Sequence, residues 1–262
     1  MTEIIIPVAA MTLLGLLFGA GLALALKIFG IEVDPKMALI ITKLPGANCG
    51  ACGKAGCAGF AAAVFHGEVP PSACPVSSDE TRQEIASILG LDQGSAGERM
   101  TAVVKCNGGE AAKDKYTYRG IKSCKAASLV FGGYKACSFG CLGFGDCADV
   151  CPFGAISVHK GLAVINHKKC TGCGNCVKAC PKGLIELIPA KAGYYVKCNS
   201  KDPAPVKVKA CKASCIACRK CEKACSVTAI KVDANLSRID YQKCQNIGKC
   251  AEVCPTKVIV KI

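Results

Sequence analysis

Seven cysteines return at a fixed offset of 74 positions. Cys137, Cys141, Cys147, Cys151, Cys170, Cys176 and Cys180 reappear as Cys211, Cys215, Cys221, Cys225, Cys244, Cys250 and Cys254. Their apolar neighbours travel with them: Ala155-Ile156 corresponds to Ala229-Ile230, and Ile185 to Ile259. A repeat kept without a gap implies a duplicated structural unit. Little else could organise such a chain. Its 262 residues include 23 Cys and 28 Gly but no Trp, and aromatics make up 5%. Few bulky side chains are left for a conventional core, a shortage that small cysteine-rich units offset with covalent or metal cross-links.

Three chemistries compete for the cysteines. Disulfides need an oxidising compartment, and an odd count leaves a thiol over. Zinc suits paired C-x2-C knuckles. The complete run here is Cys170-x2-Cys173-x2-Cys176-x3-Cys180-Pro181, which is the spacing of bacterial two-cluster ferredoxins. Soft thiolates in that run select iron–sulfur clusters, so the chain reads as a carrier of electrons. The formal charge of +14 suggests nucleic acid at first sight. Each oxidised four-thiolate cubane carries about −2, however, so four or five of them subtract roughly 8 to 10 charges. The lysines are also scattered among the cysteine loops. They serve to neutralise buried clusters or to dock an acidic electron carrier such as a small ferredoxin, and no nucleic-acid partner is expected.

Ile4 to Leu26 contains no charged residue. As a helix it extends about 34 Å, enough to cross a bilayer core. A cleaved secretory signal is the competing reading, but no Lys or Arg precedes the apolar run. Lys27, Lys36 and Lys43 follow it, so the positive-inside rule places the C-terminal body in the cytoplasm. The expected organisation is α+β: a transmembrane anchor at 1–30, a small four-iron domain with a trailing helix at 31–92, a linker and cysteine-containing connecting segment at 93–135, and two ferredoxin-like modules at 136–190 and 191–262. Within it, a short helix should follow Cys57, and a capping box at Ser77-Ser78-Asp79-Glu80 should open a helix ending at Gly90. Gln93 to Arg99 reads as a linker. Leu162–Ile165 and Val206–Val208 read as β-like runs. Four copies of a Cys-x3-(Ala/Leu/Val)-Ile tail start at Cys151, Cys180, Cys225 and Cys254. Each tail is expected to pack over a cluster.

In two-cluster ferredoxins the fourth cysteine of each run ligates the other cluster. That rule predicts complete sets at Cys151, Cys170, Cys173 and Cys176, and at Cys215, Cys218, Cys221 and Cys254. Cys49, Cys52, Cys57 and Cys74 form a further set in the N-terminal unit. Cys141, Cys147 and Cys180 lack their middle ligand, because Phe144 stands there, and Cys137 is the nearby substitute. Cys225, Cys244 and Cys250 have Ile247 in that position. Three readings stay open at Ile247: a three-iron [3Fe-4S] cluster, a remote cysteine, or an empty site. Cys106, Cys124, Cys198 and Cys211 lie outside these sets. The likeness of Val104-Lys105-Cys106 to Val196-Lys197-Cys198 leaves two readings, ligands of one further cluster or buried free thiols. Four to six [4Fe-4S] clusters are expected in total, the Ile247 site being [3Fe-4S] on one reading. No dinucleotide fingerprint, Ser/His/Asp set or carboxylate pair marks a bond-making site.

The N-terminal anchor, the Asn48-Cys49-Gly50-Ala51-Cys52-Gly53-Lys54-Ala55-Gly56-Cys57 segment with Cys74-Pro75, and the trailing modules resemble the B subunit of the Rnf (Rsx) electron-transport complex. The resemblance covers essentially the whole chain, and Phe144 and Ile247 are its departures. It implies a membrane-anchored polyferredoxin of an ion-translocating ferredoxin:NAD oxidoreductase, exporting Na+ or H+. Reduced ferredoxin would be the electron donor, and membrane subunits, some bearing flavin, the acceptors. A polyferredoxin subunit of a hydrogenase or of a corrinoid-activating reductase is the alternative, and a zinc-stabilised membrane adaptor a third.

Overall fold

A computed structural model describes residues 2–29, 34–91 and 98–262. Helix α1 (Thr2–Phe29) is apolar on every face, with Pro7 in its first turns. Between Ile5 and Ile28 none of it is buried. A helix uniformly apolar and covered by nothing in its own chain belongs in a bilayer or among partner helices.

The N-terminal unit packs helix α2 (Pro35–Lys43) against α3 (Gly56–Phe65) and α4 (Asp79–Leu89) around Ile40, Phe60, Val64 and Ile85. The helix expected after Cys57 begins one residue before it. The expected capping box moves by one position. Ser78 is the cap, its Oγ accepting from the Thr81 N–H at 3.2 Å, and Gly90 ends the helix in a left-handed conformation. The linker expected at Gln93–Arg99 falls mostly outside the described residues.

The rest is α+β and shows the duplication directly. Each half has an inner hairpin and an outer strand pair, all antiparallel. In the first half, β2 (Ile156–His159) pairs with β3 (Leu162–Ile165), and β1 (Met100–Val104) with β4 (Ile185–Pro189). In the second, β6 (Ile230–Asp233) pairs with β7 (Leu236–Ile239), and β5 (Tyr194–Val196) with β8 (Ile259–Lys261). Single-turn helices carry the ligand runs: α6 (Asp146–Asp149) and α7 (Asn175–Ala179), then α9 (Lys220–Lys223) and α10 (Lys249–Glu252). Helices α5 (Cys124–Leu129) and α8 (Ala204–Ala210) precede the two ligand regions. The stretch at 93–135, read as connecting, thus supplies β1 and α5.

Val206–Val208, expected as β-like, lies within α8. Its Val-Lys-Val alternation imitates a strand, but Pro205 sits in the first turn of a helix and Lys207 turns inward, almost wholly buried. The four apolar tails, expected to pack over clusters, are buried in the cores of the two halves. Ala155, Ile156, Leu184, Ile185, Ala229, Ile230, Val258 and Ile259 are all buried. Burying each Leu, Ile or Val among them contributes about 1.5–3 kcal/mol.

Candidate metal centres

All 23 cysteines are free thiols. A single zinc ion draws its sulfurs to about 2.3 Å of one point. Among the described residues no three Cys, His, Asp or Glu side chains converge in that way. Fifteen of the thiols instead gather, in threes and fours, around four pockets, an arrangement that suits a multi-iron cluster rather than one ion.

The N-terminal set is held by its loop. Cys49, Cys52, Cys57 and Cys74 line one space together with Pro45, Phe60 and Pro75. Asn48 adopts a positive φ and its Oδ1 accepts the Cys57 N–H at 2.8 Å. Gly56 must lack a side chain, because a Cβ there would come within 2.7 Å of that same oxygen at a φ of +75°. Asn48 and Gly56 therefore shape the turn that presents Cys57.

In the first half, Cys151, Cys170, Cys173 and Cys176 lie together. Burial raises Cys173 and Cys176, the latter to about 11, and the neighbouring Cys151 and Cys170 push both the same way. The Ala102 N–H of β1 donates to Cys170 Sγ at 3.4 Å. The tails repeat one device: the N–H four residues on donates to sulfur in Ala155 to Cys151, Leu184 to Cys180 and Ala229 to Cys225, at 3.3 to 3.4 Å. Such bonds favour the anionic, metal-bound form of a thiol and tune a cluster's potential.

The structure revises the other set of this half. Cys141, Cys147 and Cys180 share their space with Cys124, not with Cys137. Asp146 explains the placement. Its carboxylate accepts from the Cys124 N–H at 2.7 Å, the Lys125 N–H at 3.0 Å and the Ser123 hydroxyl at 2.9 Å. Burial would raise this carboxyl, but those donors hold it below the usual carboxylate range. Phe144 packs tilted against Tyr118 and Tyr134, with ring centroids 5.6 and 5.7 Å apart, beside the segment that brings Cys124 in. The aromatic at the position of the missing cysteine thus packs beside the thiol that joins the group. Spacing could not reveal this, since Cys124 lies far upstream of the run it joins.

Cys137 sits elsewhere. It lines a pocket with Cys106, Cys198 and Cys211, three of the four thiols left outside every set by sequence. Burial pushes Cys137 up to about 11, with those three thiols adding to the shift. The one available signal was the Val-Lys-Cys likeness of Cys106 and Cys198.

In the second half, Cys215, Cys221 and Cys254 join one core. Cys218 is exposed, yet close enough, with Cys215, to add to the burial that raises Cys221. Cys225, Cys244 and Cys250 line the last space, with Ile247 at its edge and about half exposed. The 23 cysteines thus fall into five groups of four and one of three, the last beside Ile247. Iron binds thiolate, so loading these sites would release the thiol protons.

Known proteins agree with this donor chemistry. Residues 44–76 match the family described as "Putative Fe-S cluster", 163–186 a 4Fe-4S binding domain, and 214–258 a 4Fe-4S dicluster domain. The chain is 41% identical over 261 residues to the B subunit of the Na(+)-translocating ferredoxin:NAD(+) oxidoreductase complex of Acetobacterium woodii, covering 99% of this chain and 78% of that protein. It is 38% identical to the B subunit of the ion-translocating oxidoreductase complex of Methanosarcina acetivorans, over 96% of both chains.

The chain belongs to the B-subunit family of the Rnf ion-translocating oxidoreductases.

A third member is the B subunit of the proton-translocating ferredoxin:NAD(+) oxidoreductase complex of Clostridium ljungdahlii, 40% identical over 100% of this chain and 94% of its own. As a member of this Rnf family the chain is an electron-transfer component of an ion-translocating oxidoreductase complex. It carries multiple [4Fe-4S] clusters and, among the described residues, one helix long and apolar enough to span a membrane.

Proposed function

We propose that this protein takes electrons from reduced ferredoxin in the cytoplasm and delivers them to membrane partners, flavin-bearing subunits among them, in a ferredoxin:NAD oxidoreductase. Bound [4Fe-4S] clusters supply one-electron redox chemistry. The residues order them: the sets at Cys49, Cys151 and Cys124 follow one another, as do those at Cys215 and Cys225. Asn175 Nδ2 donates to the Cys49 carbonyl at 3.1 Å, so the N-terminal set abuts Cys173. Cys250 is raised by burial first and then by Cys244 and Cys221, so the last two sets adjoin as well. This succession of thiol groups carries the reading.

The N-terminal set lies beside α2, next along the chain after the anchor, so it would face the membrane partners. The set at Cys215 has the exposed Cys218, which favours the second half as the entry. Cys225, Cys244 and Cys250 fit a [3Fe-4S] cluster, with Ile247 at the vacant corner. Lys27, Lys36 and Lys43 beyond the span support a cytoplasmic body. The relatives at 40 and 41% identity are named for different cations. No ionisable side chain lies between Ile4 and Leu26, so cation passage would fall to partner subunits.

The test is anaerobic rapid mixing of the purified chain with reduced ferredoxin. Visible absorbance should bleach at a rate that falls as salt rises, because basic surface steers an acidic donor. No bleaching at any ionic strength would rule out ferredoxin as the direct donor.

A further inference from the structure

The two halves are joined by more than chain. Cys106 follows β1 and Cys137 precedes the ligand run of the first half, while Cys198 follows β5 and Cys211 ends α8 in the second. All four line one space. Cys137 and Cys211 correspond in the 74-residue repeat, and Cys106 and Cys198 share a Val-Lys-Cys-Asn context, so each half contributes the same two thiols. Main-chain bonds bind the halves around them: Lys113 N–H to the Ala210 carbonyl at 2.9 Å, Lys212 N–H to the Ala111 carbonyl at 3.2 Å, and a bridge between Ala112 and Cys211.

Two further observations converge on this space. Ser214 is 3% exposed and its hydroxyl has no hydrogen-bond partner, although it lines the cavity. Lys207 is 2% exposed and lines it too. Its ammonium donates to the Asn235 carbonyl and, among the described residues, pairs with no carboxylate. A buried cation without a counter-charge and a buried hydroxyl without a hydrogen-bond partner are both costly, and an anionic group in this space would relieve both. Donors already point at one of the sulfurs: the Gly108 and Cys141 N–H groups reach Cys106 Sγ at 3.4 and 3.5 Å.

We propose that Cys106, Cys137, Cys198 and Cys211 hold a [4Fe-4S] cluster shared between the two modules, with Ser214 as a hydrogen-bond donor to it and Lys207 as its buried counter-charge. Binding forms four Fe–S(Cys) bonds, and the four thiol protons leave to solvent. The site joins the successions already described. Cys141 of the preceding set donates its N–H to Cys106, and Cys198 packs in one core with Cys215 and Cys221 of the next. This rests on the electron-transfer reading and supplies its missing link between modules.

The test uses the full chain, purified without oxygen. In Cys106→Ala/Cys198→Ala, iron and acid-labile sulfide should each fall by about four per chain relative to wild type, with the three-iron signal of the Ile247 site kept. Unchanged iron in the folded variant would overturn the proposal. Ser214→Ala guards against misfolding, because it removes a hydroxyl that bonds to nothing in the protein. It should keep full iron and shift one redox midpoint in an EPR-monitored titration. If every midpoint matches wild type, no cluster lies against Ser214 and the proposal fails. Either failure leaves a brown chain that ferredoxin still bleaches, whereas failure of the functional reading shows as no bleaching in wild type.

Discussion

Asp146 is not a ligand, yet it decides where one of them sits. Its carboxylate gathers the first N–H groups of α5 and so delivers Cys124 to the space of Cys141, Cys147 and Cys180. Replacing Asp146 by Ala strands those donors and should cost about 1–3 kcal/mol. Denaturant titration would measure the loss, and EPR of the same variant should show one altered or missing signal. A variant with wild-type stability and spectrum would mean that α5 is held by other contacts. Gly172 is a second such position. Its φ is +74°, and a Cβ would run into the Met100 carbonyl of β1. Gly172→Ala should therefore destabilise by about 2 kcal/mol or more and lower the temperature at which the visible absorbance bleaches. Neither residue stands out in the sequence, because the partner of each is distant along the chain and becomes a neighbour on folding.

At the level of elements, the two halves differ by one insertion, and that insertion explains the odd ligand count. Cys106 and Cys137 are 31 positions apart, whereas their counterparts Cys198 and Cys211 are 13 apart. The extra stretch in the first half carries α5 and Cys124. The second half lacks such a stretch, and no counterpart of Cys124 lines the pocket beside Ile247. Phe144 and Ile247 look alike as departures from the ferredoxin spacing. They differ in surroundings: Phe144 is packed between tyrosines, and Ile247 is half exposed. Ile247→Cys restores the spacing that Cys173 and Cys218 already follow. It should convert the proposed [3Fe-4S] site to four irons, seen as loss of the three-iron EPR signal from the oxidised protein. Persistence of that signal would mean that the 244–250 loop cannot present a fourth thiol. The sequence marked both departures from the spacing, but it offered Cys137 for the first because proximity along the chain was the one guide available.

Across the whole molecule, α1 and the cysteine-bearing body share no core among the described residues, since α1 is unburied from Ile5 to Ile28. Deleting residues 1–30 should yield a soluble protein with wild-type iron content, checked by ultracentrifugation and iron analysis. Loss of iron on truncation would show that α1 supports the body. The body itself leans on its metal. Its cores are small and lined with cysteine, so stripping iron with an anaerobic chelator should make residues 98–262 readily cleaved by protease. Resistance equal to that of the loaded protein would show that apolar packing alone maintains the fold. Cluster chemistry, the duplication and the membrane helix were legible in the bare sequence, because each is written in local spacing: ligands three apart, a repeat of constant length, an uninterrupted apolar run. The grouping of Cys124 with Cys141, and of Cys106 with Cys137, Cys198 and Cys211, was not. Those thiols meet through β1 pairing with β4, through the Tyr118–Phe144–Tyr134 stack and through the seam between halves, and contacts between distant segments leave no periodic trace along a chain.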